Sequence, residues 1–67
     1  MNLGENIKRA RERAGITQIA LAEKLNVHQI VISRWENNKR TPSAVTFGEI
    51  CKAIGASADE LLELRER

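Results

Sequence analysis

Two side chains in this sequence are suited to reading the hydrogen-bonding edge of another molecule, Gln29 and Arg34. A carboxamide sets a donor beside an acceptor, and a guanidinium presents a rigid fork of donors. In the major groove of a nucleic-acid duplex the first matches adenine and the second guanine, each through a bidentate pair. Both residues lie in a stretch, 28–36, whose apolar positions recur at helical spacing. At about 100° per residue, positions 28, 31, 32 and 35 fall on one side of a helix and 30, 33, 34 and 37 on the other, with 29 at the edge. Val31, Ile32 and Trp35 then face inward, and Gln29, Ile30, Ser33, Arg34 and Asn37 face outward. Taken singly, a surface Gln or Arg is more simply a solvated residue. Ile30 also has two readings, a lone exposed apolar side chain or a contact for a thymine methyl.

Other chemistry is missing from the inventory. The chain holds one histidine, one cysteine and no tyrosine, and it has no Gly-rich phosphate loop. A single cysteine closes no intrachain disulfide, and Cys51 with His28 makes no metal-ligand set of the usual spacing. Cys51 sits on the inward stripe of its own helix and reads as a small core residue. The expectation is a protein that binds rather than catalyses, with no cofactor and no metal.

The elements that position this row are all helical, since no run alternates with period 2 for long enough to make a strand. Asn2 followed by Glu5 is a capping-box pattern, and Leu3, Ile7, Ala10 and Ala14 give a first helix over roughly 3–14, stopped at Gly15. Thr17 caps a short second helix with Leu21, Ala22 and Leu25 inward, ended by Asn26, which tolerates the left-handed conformation. So few residues separate it from the third helix, about His28 to Glu36, that the chain must turn sharply, as in a helix-turn-helix. Asn38 is the next left-handed stop, and 38–42 is loop. Pro42 and Ser43 open a fourth helix with Phe47, Ile50, Cys51 and Ile54 inward, ending at Gly55. Ser57 and Glu60 form a second capping box for a fifth, which carries Leu61, Leu62 and Leu64.

A chain of 67 residues leaves room for one small domain, expected to span 1–67. With 42% hydrophobic and 30% charged residues it has the make-up of an ordinary globule, which excludes a disordered or collagen-like chain. The longest apolar stretches are too short for a membrane span, and the first fifteen residues carry four cations without an apolar core, so neither a span nor a secretory signal is expected. This reads as a cytoplasmic protein. The net charge of +2 is unevenly placed. Residues 1–41 hold eight Lys or Arg against four Glu, a net +4, while 42–67 hold three against five acids, a net −2. The basic part is the candidate surface for a polyanion.

The run TQIALAEKLNVHQIVISRWENNKRTP, residues 17–42, closely resembles the helix-turn-helix of the phage repressor and Cro type, also called the xenobiotic-response-element type. The match rests on Thr17-Gln18, Leu21-Ala22, Leu25, Val27, Ile32, the Trp35-Glu36-Asn37 triplet, Lys39 and Pro42, in order and in register. The flanking helices fit the family's five-helix domain, so the resemblance covers nearly the whole chain. It departs from the family pattern at Asn26 and Asn38, where glycine is usual, at His28, where a capping hydroxyl is usual, and at Ile19 and Ile30, which are usually polar.

The resemblance implies an all-α, five-helix repressor-like domain whose third helix enters the major groove of double-stranded DNA. Base readout would then fall to Gln29, Ile30, Ser33 and Arg34. Phosphate contacts would come from the start of the second helix, from Gln18, and from Asn37, Lys39 and Arg40, with Arg40 the nearest candidate for the minor groove. Arg11 and Glu36 would form a structural ion pair. The expected function is transcriptional regulation, as a repressor, by operator occupancy. One such module covers only about 600 to 1,000 Å² of protein surface on DNA, so a homodimer on half-sites about 34 to 36 Å apart is expected. The rival readings keep the fold: a protein-interaction module that uses Ile19 and Ile30 as an apolar patch, or an engineered scaffold without an operator.

Overall fold

The computed structural model describes residues 2–62, which form five α-helices and no strand: α1 Leu3–Arg13, α2 Gln18–Leu25, α3 Gln29–Glu36, α4 Ala44–Ile54 and α5 Ala58–Leu62. The helix starts are set by short polar side chains. Asn2 Oδ1 accepts the Glu5 amide at 2.9 Å, Thr17 Oγ1 that of Ala20 at 3.0 Å, Ser43 Oγ that of Thr46 at 3.2 Å and Ser57 Oγ that of Glu60 at 3.1 Å. Each satisfies an amide that the helix itself leaves without a partner. Two of the ends turn on asparagine in the left-handed region, Asn26 at φ 57° and Asn38 at φ 59°. Asparagine reaches this conformation more readily than other residues with a Cβ, so the absence of glycine does not disturb either turn.

Three expectations are corrected. Helix α3 begins at Gln29 rather than His28, and His28, assigned to the inward side, is an exposed N-cap in extended conformation whose side chain makes no capping bond. Helical periodicity does not govern a residue that precedes the helix. Ala14, expected on the inward stripe of α1, is exposed, because the helix ends at Arg13 and Ala14 is its C-cap. The buried face of α1 is instead Gly4, Ile7, Ala10 and Arg11. Leu64 lies outside the described residues.

The core joins all five helices. Ile7, Leu21, Ile32, Ile50 and Leu61 are fully buried, one from each helix, and Trp35 is 5% exposed. Burying a large aliphatic side chain contributes about 1.5 to 3 kcal/mol, so these five apolar anchors hold five short helices that would not persist alone. Helix α1 packs on α3 and α5, and α2 packs on α3 and α4. Asn6 adds a polar tie by donating to the Leu61 carbonyl at 2.9 Å, and Arg13 pairs with Glu60 at 2.6 Å. Helix α3 is thus seated on two neighbours with one face left free.

Candidate nucleic-acid interface

The free face of α3 carries the row predicted from spacing. Gln29, Arg34 and Asn37 are exposed, Ile30 is 56% exposed, and Ser33 is half-buried. Lys39 and Arg40 follow directly and are also exposed, with both backbone amides donating to the Arg34 carbonyl, at 2.8 and 3.3 Å. The loop cations are therefore held in register with the last turn of α3. Asn37 folds back onto Ser33, its amide donating to the Ser33 carbonyl at 2.9 Å and to the Ser33 hydroxyl at 3.3 Å. Ser33 is in consequence the least available member of the row.

Beneath the row lies a buried ion pair. Arg11 Nε meets Glu36 Oε2 at 2.6 Å and Arg11 Nη2 meets Glu36 Oε1 at 3.1 Å, a bidentate pair whose side chains are 9% and 2% exposed. Arg11 Nη1 also donates to the Ile16 carbonyl at 2.8 Å. The hydrogen bond to Glu36 raises the Arg11 pKa further above its ordinary value, against the opposing effect of burial. The guanidinium stays charged, and the pair braces α3 against α1 as a fixed strut.

The strut extends to the surface through Gln18. Its Nε2 donates to Glu36 Oε1 at 2.9 Å, and its Oε1 accepts from Gln29 Nε2 at 3.0 Å. Gln18 is half-buried, so most of its capacity is spent inside the protein, whereas Gln29 keeps one N–H and its carbonyl oxygen for an outside partner. The relay orients Gln29 at the price of freedom in Gln18. At the start of α2, Thr17 takes the Ala20 amide, one of the opening N–H groups that a helix leaves without an intrahelical partner.

Two contacts had no warning in the helical pattern. Gly4 is buried against the end of α3, where a Cβ would lie 2.5 Å from the Trp35 carbonyl oxygen and 2.6 Å from that of Glu36. Asn38 reaches back to α1, accepting the Gly4 amide at 3.0 Å and donating to Asn2 Oδ1 at 2.8 Å. The signal for the first was a glycine inside the first turn of a helix, which marks close backbone approach. Among the described residues no group of three or more His, Cys, Asp or Glu is placed to hold a metal ion, and no helix is long and apolar enough to cross a membrane.

Helices α2 and α3, joined by a sharp turn with the outer face of α3 left free, make a helix-turn-helix. Residues 7–61 match the family model described as Helix-turn-helix, and the chain belongs to that family. It is similar to the HTH-type transcriptional regulator ImmR of Bacillus subtilis, 39% identical over 62 residues that cover 92% of this chain and 49% of the relative. The crystal structure of the clp gene regulator ClgR from C. glutamicum superposes with a TM-score of 0.85 at 32% identity, covering 92% of this chain and 81% of that one. The P22 c2 repressor, solved in complex with a synthetic operator, superposes with a TM-score of 0.82 at 31% identity, covering 91% and 92%. The chain spans about half the length of ImmR, and 28% of the full repressor protein C2 of Salmonella phage P22. ImmR is named a transcriptional regulator, and C2 a repressor protein.

Proposed function

We propose that residues 1–67 form one DNA-reading domain that lays α3 in the major groove of an operator and represses transcription by occupying it. The observation that carries this reading is the exposed row Gln29, Ile30 and Arg34 on a helix whose opposite face, Ile32 and Trp35, is buried. Gln29 reads adenine with the donor and acceptor that Gln18 leaves it, Arg34 reads guanine, and Ile30 meets a thymine methyl. Ser33 has the shortest reach and contributes least. Asn37, Lys39 and Arg40 take phosphates beside the groove, and the opening amides of α2 take another, with Gln18 serving first as the link between Glu36 and Gln29. Two copies bind together, on half-sites about 34 to 36 Å apart, and the protein works in the cytoplasm on the genome there.

A second reading has its own support, since Ile19 and Ile30 are each more than half exposed and could meet a protein partner instead. Selection of bound sequences from random duplex, followed by titration at low salt, decides between them. The DNA reading expects enrichment of a two-fold repeated sequence with preferred bases under α3. No enrichment together with no binding to mixed duplex at low salt rejects it in favour of the interaction reading.

A further inference from the structure

The loop after α3 is tied to the opposite end of α1 by one side chain, that of Asn38. Its Oδ1 accepts the Gly4 amide at 3.0 Å, and its Nδ2 donates to Asn2 Oδ1 at 2.8 Å, the oxygen that also caps the Glu5 amide at 2.9 Å. Two amides in the first turn of α1 are thus satisfied, one locally and one by a residue 34 positions away. Such an approach is open only because Gly4 has no side chain, for a Cβ there would lie 2.8 Å from Asn38 Oδ1 as well as against the last carbonyls of α3. The positive end of the α1 dipole therefore rests on the negative end of α3, and Asn38 bolts the two together.

The backbone at Asn38 does not need this side chain. At φ 59° the residue stands where glycine is the easiest occupant, and asparagine adds to the turn only what its carboxamide reaches. Lys39 and Arg40 follow at once, and their amides bond the Arg34 carbonyl. The loop is then pinned on both sides, by its own amides to α3 and by Asn38 to α1. We propose that Asn38 is a positioning residue for DNA binding, holding Lys39 and Arg40 where they meet the phosphate backbone, while touching no DNA itself. This rests on the DNA-binding reading above.

The test is Asn38→Gly, which keeps the left-handed turn and deletes only the tether. Affinity for a selected operator is measured across a tenfold range of salt, at a temperature where circular dichroism finds both proteins folded, with amide exchange followed in the free proteins. Loss of one phosphate contact flattens the dependence of log K on log salt by about one unit, so the variant's deficit at the low-salt end should exceed that at the high-salt end by about tenfold. Preference among single-base-pair operator variants should not change, because α3 is untouched. In the free protein the Gly4, Lys39 and Arg40 amides should exchange faster while that of Ile32 stays protected.

Parent-like affinity and slope in Asn38→Gly overturn the proposal even where the parent binds DNA well. So does a loss of affinity at an unchanged slope, since partial unfolding lowers the amount of competent protein by a factor that salt contacts do not set. Parent-like exchange at Gly4 rejects the tether itself. Failure of the parent to bind any duplex at low salt rejects the DNA-binding reading and Asn38's role with it, whereas the other outcomes leave that reading standing.

Discussion

Replacing Glu36 with glutamine changes one oxygen of a buried carboxylate into an NH2 group and removes its charge. In the parent this carboxylate accepts from Arg11 Nε, Arg11 Nη2 and Gln18 Nε2, and its side chain is 2% exposed. An amide cannot accept from both forks of the guanidinium, so one N–H of Arg11 is left facing another N–H, and the charge of Arg11, 9% exposed, loses its counterion. Breaking a buried pair from one side costs about 3 to 5 kcal/mol. Globular chains hold about 0.05 to 0.15 kcal/mol per residue, which for 67 residues is about 3 to 10 kcal/mol in all. Glu36→Gln should therefore take a third or more of the stability. In a domain of this size each kcal/mol moves Tm by about 4 to 8 °C, so a fall of at least about 12 °C is expected in a thermal melt followed by circular dichroism.

The double variant Arg11→Met with Glu36→Leu separates the mechanism from simple loss of contact. Removing both charges leaves no uncompensated ion, and apolar replacements of buried pairs are often neutral or stabilising. This variant should melt above Glu36→Gln despite having lost more hydrogen bonds. Titration of Arg11 offers no easier test, because its pKa is raised from an already alkaline value. Its contribution is present throughout the range below the ordinary arginine pKa and is lost only above it. A Glu36→Gln protein that melts within about 4 °C of the parent, or a double variant less stable than the single one, would refute the buried-charge reasoning.

Gly4→Ala should destabilise strongly, by at least the about 1 to 3 kcal/mol typical of overpacking, because the new Cβ meets backbone carbonyls rather than side chains that can swing away; a denaturant titration measures it, with an unchanged midpoint as the contrary result. Trp35→Ala, at a site 5% exposed, should cost about 3 to 5 kcal/mol and leave the chain mostly unfolded at 25 °C, which the loss of a cooperative melt would register. Arg34→Ala should cost about 1 to 3 kcal/mol on the preferred operator and relax preference at one base pair of each half-site, whereas Lys39→Ala should weaken all sequences alike and flatten the salt slope by about one unit. The same behaviour from both variants in a competition titration would void that division. Burial pushes the Cys51 thiol up, so the fold favours the neutral form; this stability is present below the ordinary thiol range and is lost as pH rises through the raised value. Between about pH 7 and pH 10 the parent's Tm should fall more than that of Cys51→Ala, and parallel curves would contradict it.

Helix ends set by a capping oxygen or a left-handed stop were legible because their causes are local. A cap oxygen on Asn2, Thr17, Ser43 or Ser57 bonds an amide three residues away, and a left-handed stop at Asn26, Asn38 or Gly55 depends on the sterics of one residue. The outward row on α3 was legible for a similar reason, since Ile32 and Trp35 define the buried side and the helical repeat assigns the rest. Periodicity failed where it left the helix, at His28 and Ala14. It also had no means of placing Arg11 inside, because a charged residue is assigned to solvent until its partner is known; Glu36 entered through the family resemblance, and the depth of the pair came from the packing of α1 on α3.

The sequence by itself determined that five short helices form, where they begin and stop to within a residue, and which side of α3 is free. Only the tertiary structure decided what stands behind that face: Gln18 spanning Glu36 and Gln29, Gly4 seated on the carbonyls of Trp35 and Glu36, and Asn38 bonded to Asn2 and Gly4. These contacts join residues from 11 to 36 positions apart in the chain, across helices whose mutual distance and crossing no repeat encodes. Helix periods and caps are properties of one segment and its solvent, whereas the approach of α1 to α3 is fixed by how all five apolar anchors close on one another, and hydrogen bonds between their polar ends exist only after that closure.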